Sequence, residues 1–245
     1  MERSAALLRL ACMRSLVVFA GLLSSMAFAN PHLDAIRKAR AEDVKTLLAD
    51  AGLPSPVDVV HLRAFKEEKV VELWAGKKGA ALVLVKTYPV CAASGALGPK
   101  RKEGDLQVPE GLYEISEFNP GSNFHLSMKV SYPNASDRQR SDARRPGGLI
   151  YMHGNCASIG CIAIEDGPIE EVYLITQDSK VRPIRMDIFP GRMTSQWMTA
   201  HAESEHAAFW KELEPAFRLF EEAKKPAPFS VGAGGAYRVK EPKRP

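Results

Sequence analysis

The densest group of reactive side chains lies between Tyr151 and Ala163, in the segment YMHGNCASIGCIA. It carries His153, Cys156 and Cys161. A cysteine attacks as the thiolate, so a nucleophilic cysteine needs a base or a cation close by. His153 stands eight residues before Cys161 at the end of a predicted strand, and a glycine-containing loop that returns the chain would bring the two side chains together. The pattern indicates a cysteine nucleophile with a histidine base.

Gly160 directly precedes Cys161. A glycine there permits a backbone angle that other residues avoid, or a close approach of substrate beside the sulfur. Backbone N–H groups at this turn would then form an oxyanion hole. The segment thus offers a nucleophile, a base and a site for negative charge.

Two other interpretations of these residues stay open. His153, Cys156 and Cys161 have the spacing His-x2-Cys-x4-Cys, which would hold zinc only with a fourth ligand that the sequence does not supply. A structural disulfide from Cys156 to either Cys161 or Cys91, with His153 merely packed, fits the pattern nearly as well. The residues alone do not decide between these and a catalytic pair, but we expect no metal.

Residues 1–29 read as a secretory signal peptide. Arginines precede the apolar stretch Leu16–Leu23, and an Ala-Phe-Ala sequence ending at Ala29 matches the small-x-small pattern after which signal peptidase cuts. Translation would start at the first methionine or at Met13. We expect a mature chain that begins at Asn30 and is exported, to the periplasm or otherwise out of the cytoplasm.

Composition limits the remaining function classes. The chain is 45% hydrophobic and 25% charged, which excludes disorder for most of it, and no apolar run reaches the roughly 18 residues of a membrane span. Without residues 1–29 it keeps 30 basic and 28 acidic residues, a balance that argues against a nucleic-acid partner. We interpret the runs Lys100-Arg101-Lys102 and Arg144-Arg145 as solvated loop charges. Three cysteines remain, so one needs a reason to be unpaired.

Hydrophobic periodicity divides the mature chain into four parts. Residues 30–56 form a helical segment, with Asn30 as its cap and proline in the first turn. Residues 57–193 contain short runs rich in β-branched and aromatic residues, separated by turn-forming residues, and one helix entered at a proline. Residues 194–223 are helical again, with an interruption expected at Pro215. Residues 224–245 offer little to bury and predict a flexible tail.

The reactive segment resembles the signature of the L,D-transpeptidase catalytic (YkuD) domain family. It is most similar to the YafK-like murein branch, whose shortened form is His-Gly-x-Cys-x-Ser-x-Gly-Cys. Further similar segments occur in the same order along residues 65–193, and the features they share are glycines, prolines and single polar residues at fixed positions. They are CAASGALGPK from Cys91, GDLQVPEG from Gly104, NPGS from Asn119, YPN from Tyr132 and IFPGRM from Ile188.

This resemblance implies a mainly β fold with flanking helices, a mixed β-sandwich that holds the cysteine in a cleft. It implies Cys161 as nucleophile, His153 as general base and the Gly154 carbonyl as the third catalytic element. Ser158 and Gly160 match the family's serine and glycine, as supporting or oxyanion residues. It implies no cofactor.

The sequence also departs from the wider family. Ile159 replaces a second histidine, and Ile162-Ala163 replaces a stretch that carries an arginine for a substrate carboxylate. The spacing from His153 to the cysteine is shorter as well. If Cys161 must stay free, Cys91 and Cys156 become the natural disulfide pair, although two buried, unpaired cysteines remain an alternative.

We therefore expect an exported cysteine enzyme that acts on peptidoglycan stem peptides. The Cys161 thiolate would attack the carbonyl before a terminal D-amino acid and form a thioester, which an amine would resolve as a cross-link or as attachment to a wall-anchored protein. With water as acceptor the same site would be a hydrolytic amidase. A catalytically inactive wall-binding scaffold is the rival from another class.

Overall fold

The computed structural model describes residues 30–241. The predicted signal peptide, residues 1–29, lies outside this range. Among the helices of residues 30–241, none combines the length and the apolar character that crossing a membrane demands.

The first element, helix α1 (Pro31–Asp50), begins as the sequence predicts. The Asn30 side chain accepts a hydrogen bond from the Leu33 N–H at 3.1 Å, which satisfies a donor that the first turn leaves unpaired. Ile36 and Leu48 face the core and are buried. The predicted helical segment 30–56 is therefore helix as far as Asp50 and loop beyond it.

Ten strands and four further helices follow in the described chain. The strands are β1 Val59–Phe65, β2 Val70–Gly76, β3 Val83–Pro89, β4 Gly111–Ser122, β5 His125–Val130, β6 Tyr151–His153, β7 Ile162–Ala163, β8 Ile184–Phe189, β9 Phe229–Val231 and β10 Tyr237–Val239. The helices are α2 Ala135–Arg140, α3 Asp166–Asp178, α4 Ser195–Ala200 and α5 Ala207–Ala223. Every strand contains β-branched or aromatic residues, which pack well on a pleated surface.

Strands β1 to β8 form one mixed sheet in the order β3-β2-β1-β8-β4-β5-β6-β7. The first residues of β4 pair with β8, and its last residues pair with β5. The pairing with β5 contains register shifts, which bend a strand. Beyond β3, Ala92 pairs with Ala163 of β7, so the two edges of the sheet approach each other. The prediction of a mainly β fold with flanking helices is confirmed. The two layers expected of a β-sandwich are parts of one curled sheet.

Helices cover both faces of the sheet at β1. One cluster packs α1 and α3 against the sheet, and a second packs Phe65 and Phe189 against α5. Because β1 is covered on both sides, six of its seven residues are buried, as expected for an internal strand. This double covering makes the centre of the sheet a rigid base for the strands beside it.

Helix α5 passes through Pro215, where the sequence predicted an interruption. The break in the segment 194–223 lies instead at residues 201–206, between α4 and α5. Phe209 and Phe217 pack into the same cluster from either side of the proline. Their burial offsets the lost backbone hydrogen bond, a cost of about 3 kcal/mol, so tertiary packing overrides the local preference.

The C-terminal residues 224–241 are structured, in contrast to the flexible tail expected for 224–245. Strands β9 and β10 form an antiparallel pair beside the main sheet. Tyr237 is buried, and its hydroxyl accepts hydrogen bonds from the Asn134 side chain at 2.7 Å and the Leu112 N–H at 3.3 Å. Lysine, glycine, alanine and proline are common in this segment, but its two aromatic residues, Phe229 and Tyr237, supply apolar surface that anchors it.

Replacing Tyr237 by alanine should lower the free energy of unfolding by about 3 kcal/mol, because a buried aromatic ring is lost. Tyr237→Phe keeps the ring, loses only the hydroxyl contacts and should cost about 1 kcal/mol. Urea unfolding of the three proteins measures both values. Equal midpoints for the wild type and Tyr237→Ala would show that this segment does not contribute to the core.

Candidate active site

The pairing of β6 with β7 brings His153 and Cys161 to the lining of one cavity of about 500 Å³. The two strands are parallel, and His153 lies opposite Ala163. Cys161 lies in the bend that directly precedes β7.

The His153 ring is buried and held in one orientation. Its Nδ1 lies 2.6 Å from the Gly154 carbonyl oxygen, which can only accept, so Nδ1 carries the proton and the Nε2 lone pair is available. The Phe124 ring packs at 4.6 Å between centroids. Burial lowers the pKa of His153, and the hydrogen bond to Gly154 opposes this only partly. The imidazole is therefore a neutral base at neutral pH.

Gly154 has no room for a side chain. A Cβ there would lie 2.6 Å from Asp166 Oδ1 and 2.9 Å from the Phe124 carbonyl oxygen. Its N–H donates to the Leu126 carbonyl oxygen at 3.1 Å, and the Asn155 N–H, which shares a peptide unit with the Gly154 carbonyl, donates to Asp166 Oδ1 at 2.7 Å. The carbonyl that orients His153 is thus fixed by close packing and by a hydrogen bond to the adjacent chain.

The loop from Gly154 to Gly160 is closed by local hydrogen bonds. The Ser158 hydroxyl donates to the Cys161 carbonyl oxygen at 2.7 Å, and the Asn155 N–H donates to Asp166 Oδ1 at 2.7 Å. Gly160 is buried and adopts a φ of +113°, which L side chains avoid. Ser158 and Gly160 therefore fix the backbone conformation of the loop that carries Cys161. The Ser158 hydroxyl proton is already donated to the Cys161 carbonyl oxygen.

Cys161 is a half-buried thiol in this structure. Burial raises its pKa, while a backbone hydrogen bond from Tyr151 and the positive charge of Lys100 act in the opposite direction. Its Sγ lies 3.7 Å from the Leu149 carbonyl oxygen, a distance that suits a thiol donor. The resting pair therefore consists of a neutral thiol beside a neutral imidazole.

Cys91 and Cys156 form a disulfide, with Cα atoms 5.6 Å apart. The bond connects the chain that follows β3 to the loop between His153 and Cys161. Two alternatives from the sequence do not occur in this structure: Cys156 is not bonded to Cys161, and within residues 30–241 no three His, Cys, Asp or Glu side chains cluster as metal ligands. The pairing leaves Cys161 as the free thiol.

A second cavity, of about 490 Å³, also borders Cys161. Leu149, Ile159 and Cys161 line both cavities. The second cavity differs in charge, since Lys100 and Arg144 are among the residues that line it.

The second cavity is not apparent from the sequence, in which the runs Lys100-Arg101-Lys102 and Arg144-Arg145 indicate solvated loop charges. Lys100 is in fact buried, with its Nζ 2.5 Å from Asp105 Oδ1, and Arg144 and Arg145 both line the cavity. The two runs are more than 40 residues apart. Charge pattern alone gave no signal that the fold brings them to the same place.

Solved structures with a similar fold include two bacterial proteins. The helical cell shape determining protein Pgp2 of Campylobacter jejuni is 19% identical, with a TM-score of 0.47 over 76% of this chain and 80% of that one. L,D-transpeptidase 1 of Mycobacterium tuberculosis is 14% identical, with a TM-score of 0.31 over 54% and 62%.

Sequence comparison gives a more specific result. YafK of Escherichia coli K12, whose name places it among the L,D-transpeptidases, is 33% identical over 231 residues, which span 92% of this chain and 86% of the relative. The L,D-transpeptidase catalytic domain model, YkuD, matches residues 60–184, from β1 to the start of β8. These residues include the whole reactive segment and both cavities. The chain belongs to the L,D-transpeptidase (YkuD) family.

Proposed function

We propose that this protein is an exported cysteine L,D-transpeptidase that acts on peptidoglycan stem peptides through a thioester. The observation that carries the proposal is that His153 and Cys161 line the same cavity. The orientation of the imidazole by Gly154 supports it, because Nε2 is then the atom available to a thiol proton. Membership of the family supplies the reaction class.

In the first half-reaction, Cys161 Sγ bonds to the carbonyl carbon of the residue before the terminal D-amino acid, with diaminopimelate as the expected residue. His153 Nε2 takes the thiol proton as the bond forms. Backbone N–H groups at Gly160 and Cys161 stabilise the oxyanion. The tetrahedral intermediate then collapses, His153 returns the proton to the amine nitrogen, and the D-amino acid leaves a thioester on Cys161.

In the second half-reaction an amine attacks the thioester carbonyl. His153 takes a proton from the incoming nitrogen, the C–S bond breaks, and the proton returns to Cys161. The product is a new amide, either a cross-link between stem peptides or an attachment to a wall-anchored protein. Each step is an acyl or proton transfer between substrate and these two side chains.

The resting charge state decides how the first step proceeds. Because burial raises the pKa of Cys161 and lowers that of His153, the neutral pair is favoured over a thiolate–imidazolium pair. The thiolate therefore develops only while the proton moves to His153. His153 acts as a general base in the attack and is not the counter-ion of a preformed anion.

Hydrolysis is the second candidate, and one observation favours it. The cavity that Cys161 shares with His153 is open to solvent, so water can reach the thioester beside the base. With water in place of the amine, the same steps cleave a diaminopimelate-linked amide. An inactive wall-binding scaffold is the third candidate. Binding alone would not require an oriented imidazole and a free thiol in the same cavity.

Export is part of the proposal, and the Cys91–Cys156 disulfide supports it. Such bonds persist in oxidising compartments outside the cytoplasm. Residues 1–29 would direct the chain there, with cleavage near Ala29. Peptidoglycan stem peptides lie in the same compartment.

The activity is tested by incubating the chain from Asn30 with tetrapeptide muropeptides, cross-linked muropeptides and peptidoglycan that carries a linked protein. Mass spectrometry should show new cross-links or exchange of the terminal D-amino acid, and Cys161→Ala should abolish both. His153→Ala should lower kcat by about 10² to 10⁴. His32→Ala, which changes an exposed histidine on α1, is the matched control and should leave turnover unchanged.

The alternatives predict different products in the same reactions. Release of an existing link, dependent on Cys161 and without a new bond, would establish a hydrolase. Unchanged substrates in every reaction would overturn the proposal of an enzyme and favour the inactive wall-binding scaffold.

The neutral resting pair makes a second prediction, on the pH dependence of alkylation. Iodoacetamide reacts with the thiolate, so the rate at Cys161 should still rise between about pH 7 and 9, because the raised pKa keeps the thiol protonated near neutrality. His153→Ala should change this profile little. Labelling without reductant isolates Cys161, since Cys91 and Cys156 are bonded. A plateau below pH 7 that His153→Ala removes would contradict the neutral pair.

A further inference from the structure

The second cavity is basic, and one of its cations has no ionic partner. Arg145 pairs with Glu103 at 2.8 Å, and Lys100 pairs with Asp105 at 2.5 Å. The guanidinium of Arg144 is exposed and makes no ion pair or hydrogen bond with any residue in the range 30–241. Arg144 is therefore free to bind an anion that enters the cavity.

The loop that carries Arg144 is held in place by its own backbone. The N–H groups of Arg144 and Arg145 donate to Asp142 Oδ1 at 2.9 and 2.8 Å, and the Asp142 N–H donates to the Arg101 carbonyl oxygen at 2.7 Å. The Glu103 N–H also donates to the Arg145 carbonyl oxygen. The Arg144 side chain thus extends from an ordered turn, and Arg144 and Cys161 line the same cavity.

The first cavity has no carboxylate or ammonium in its lining. Its polar groups are amides and hydroxyls, together with the His153 imidazole, and its apolar surface comes from Phe124, Leu149 and Ile159. The two cavities that border Cys161 therefore differ in charge: the first is neutral, and the second carries a surplus of positive charge.

The position of the base assigns the two sides to the two parts of the substrate. The amine that leaves, and the nucleophile that enters, must exchange a proton with His153, which lines only the first cavity. The amine side of the scissile bond therefore lies over the first cavity. The second cavity, which also borders Cys161 but lacks His153, is then available to the acyl side.

We propose that the second cavity binds the acyl donor through its free carboxylates, with Arg144 as the residue that recognises them. This inference rests on the proposed function, since it uses the role of His153. A stem peptide suits the site, because diaminopimelate keeps a side-chain carboxylate near the reacting carbonyl. A guanidinium binds a carboxylate in two parallel hydrogen bonds, which gives orientation as well as affinity.

Calorimetry on the Cys161→Ala protein tests this without turnover. The probes are a tetrapeptide stem peptide with free carboxylates and the same peptide with its diaminopimelate carboxylate amidated. The free acid should bind about tenfold tighter, the effect of one charge-assisted contact. Arg144→Gln in the same background should remove that difference by weakening only the free acid. Arg138→Gln, an exposed arginine beside another cavity, is the control and should change neither affinity.

Turnover by the protein with Cys161 intact separates this inference from the proposed function. Arg144→Gln should raise KM for the free acid about tenfold with kcat nearly unchanged. Cys161-dependent turnover with equal KM for both peptides would overturn the carboxylate site and leave the function standing. Binding that prefers the free acid, without turnover of any peptide, would support the carboxylate site and overturn the proposed function. Equal affinity for both peptides, or binding of neither, would overturn the inference.

Discussion

The parallel register between β6 and β7 is the constraint on which the site depends. Side chains alternate between the faces of a sheet, so a slip of one residue would turn His153 of β6 away from the cavity that Cys161 lines. The register is held from both sides: β6 also pairs with β5, and Ala163 of β7 exchanges hydrogen bonds with the chain at Cys91 and Ala92, at 2.9 and 3.1 Å. The disulfide from Cys91 to Cys156 adds a covalent link at the same place.

Burial gives this arrangement its chemistry. The same packing that fixes the His153 ring against Gly154 and Phe124 removes water from it, which lowers its pKa, and the half-buried Cys161 responds in the opposite direction. Both shifts favour the uncharged pair. The Cys161 sulfur therefore stays protonated until a substrate carbonyl is in place. A thiol is also oxidised much more slowly than a permanent thiolate would be.

The sequence predicts the parts of this protein that rest on local pattern. The cap at Asn30, the β-rich stretch and the reactive segment around Cys161 all follow from residue type and spacing. The path of α5 through Pro215 and the burial of Tyr237 do not, because both depend on packing against residues far along the chain. The second cavity escaped prediction for the same reason. Arginine and lysine in a loop indicate exposure, but only the folded chain shows what they face.

The contrast between the cavities separates two choices that a transpeptidase must make. Under the proposed chemistry, the donor is selected on the basic side, where carboxylates meet Arg144. The acceptor is selected on the neutral side, because any nucleophile that resolves the thioester gives its proton to His153. An amine and water differ there chiefly in what else they contact, and the apolar surfaces of Phe124 and Ile159 favour an acceptor with a hydrocarbon stem. The balance between transfer and hydrolysis is therefore set by the first cavity, independently of how tightly the donor is held in the second.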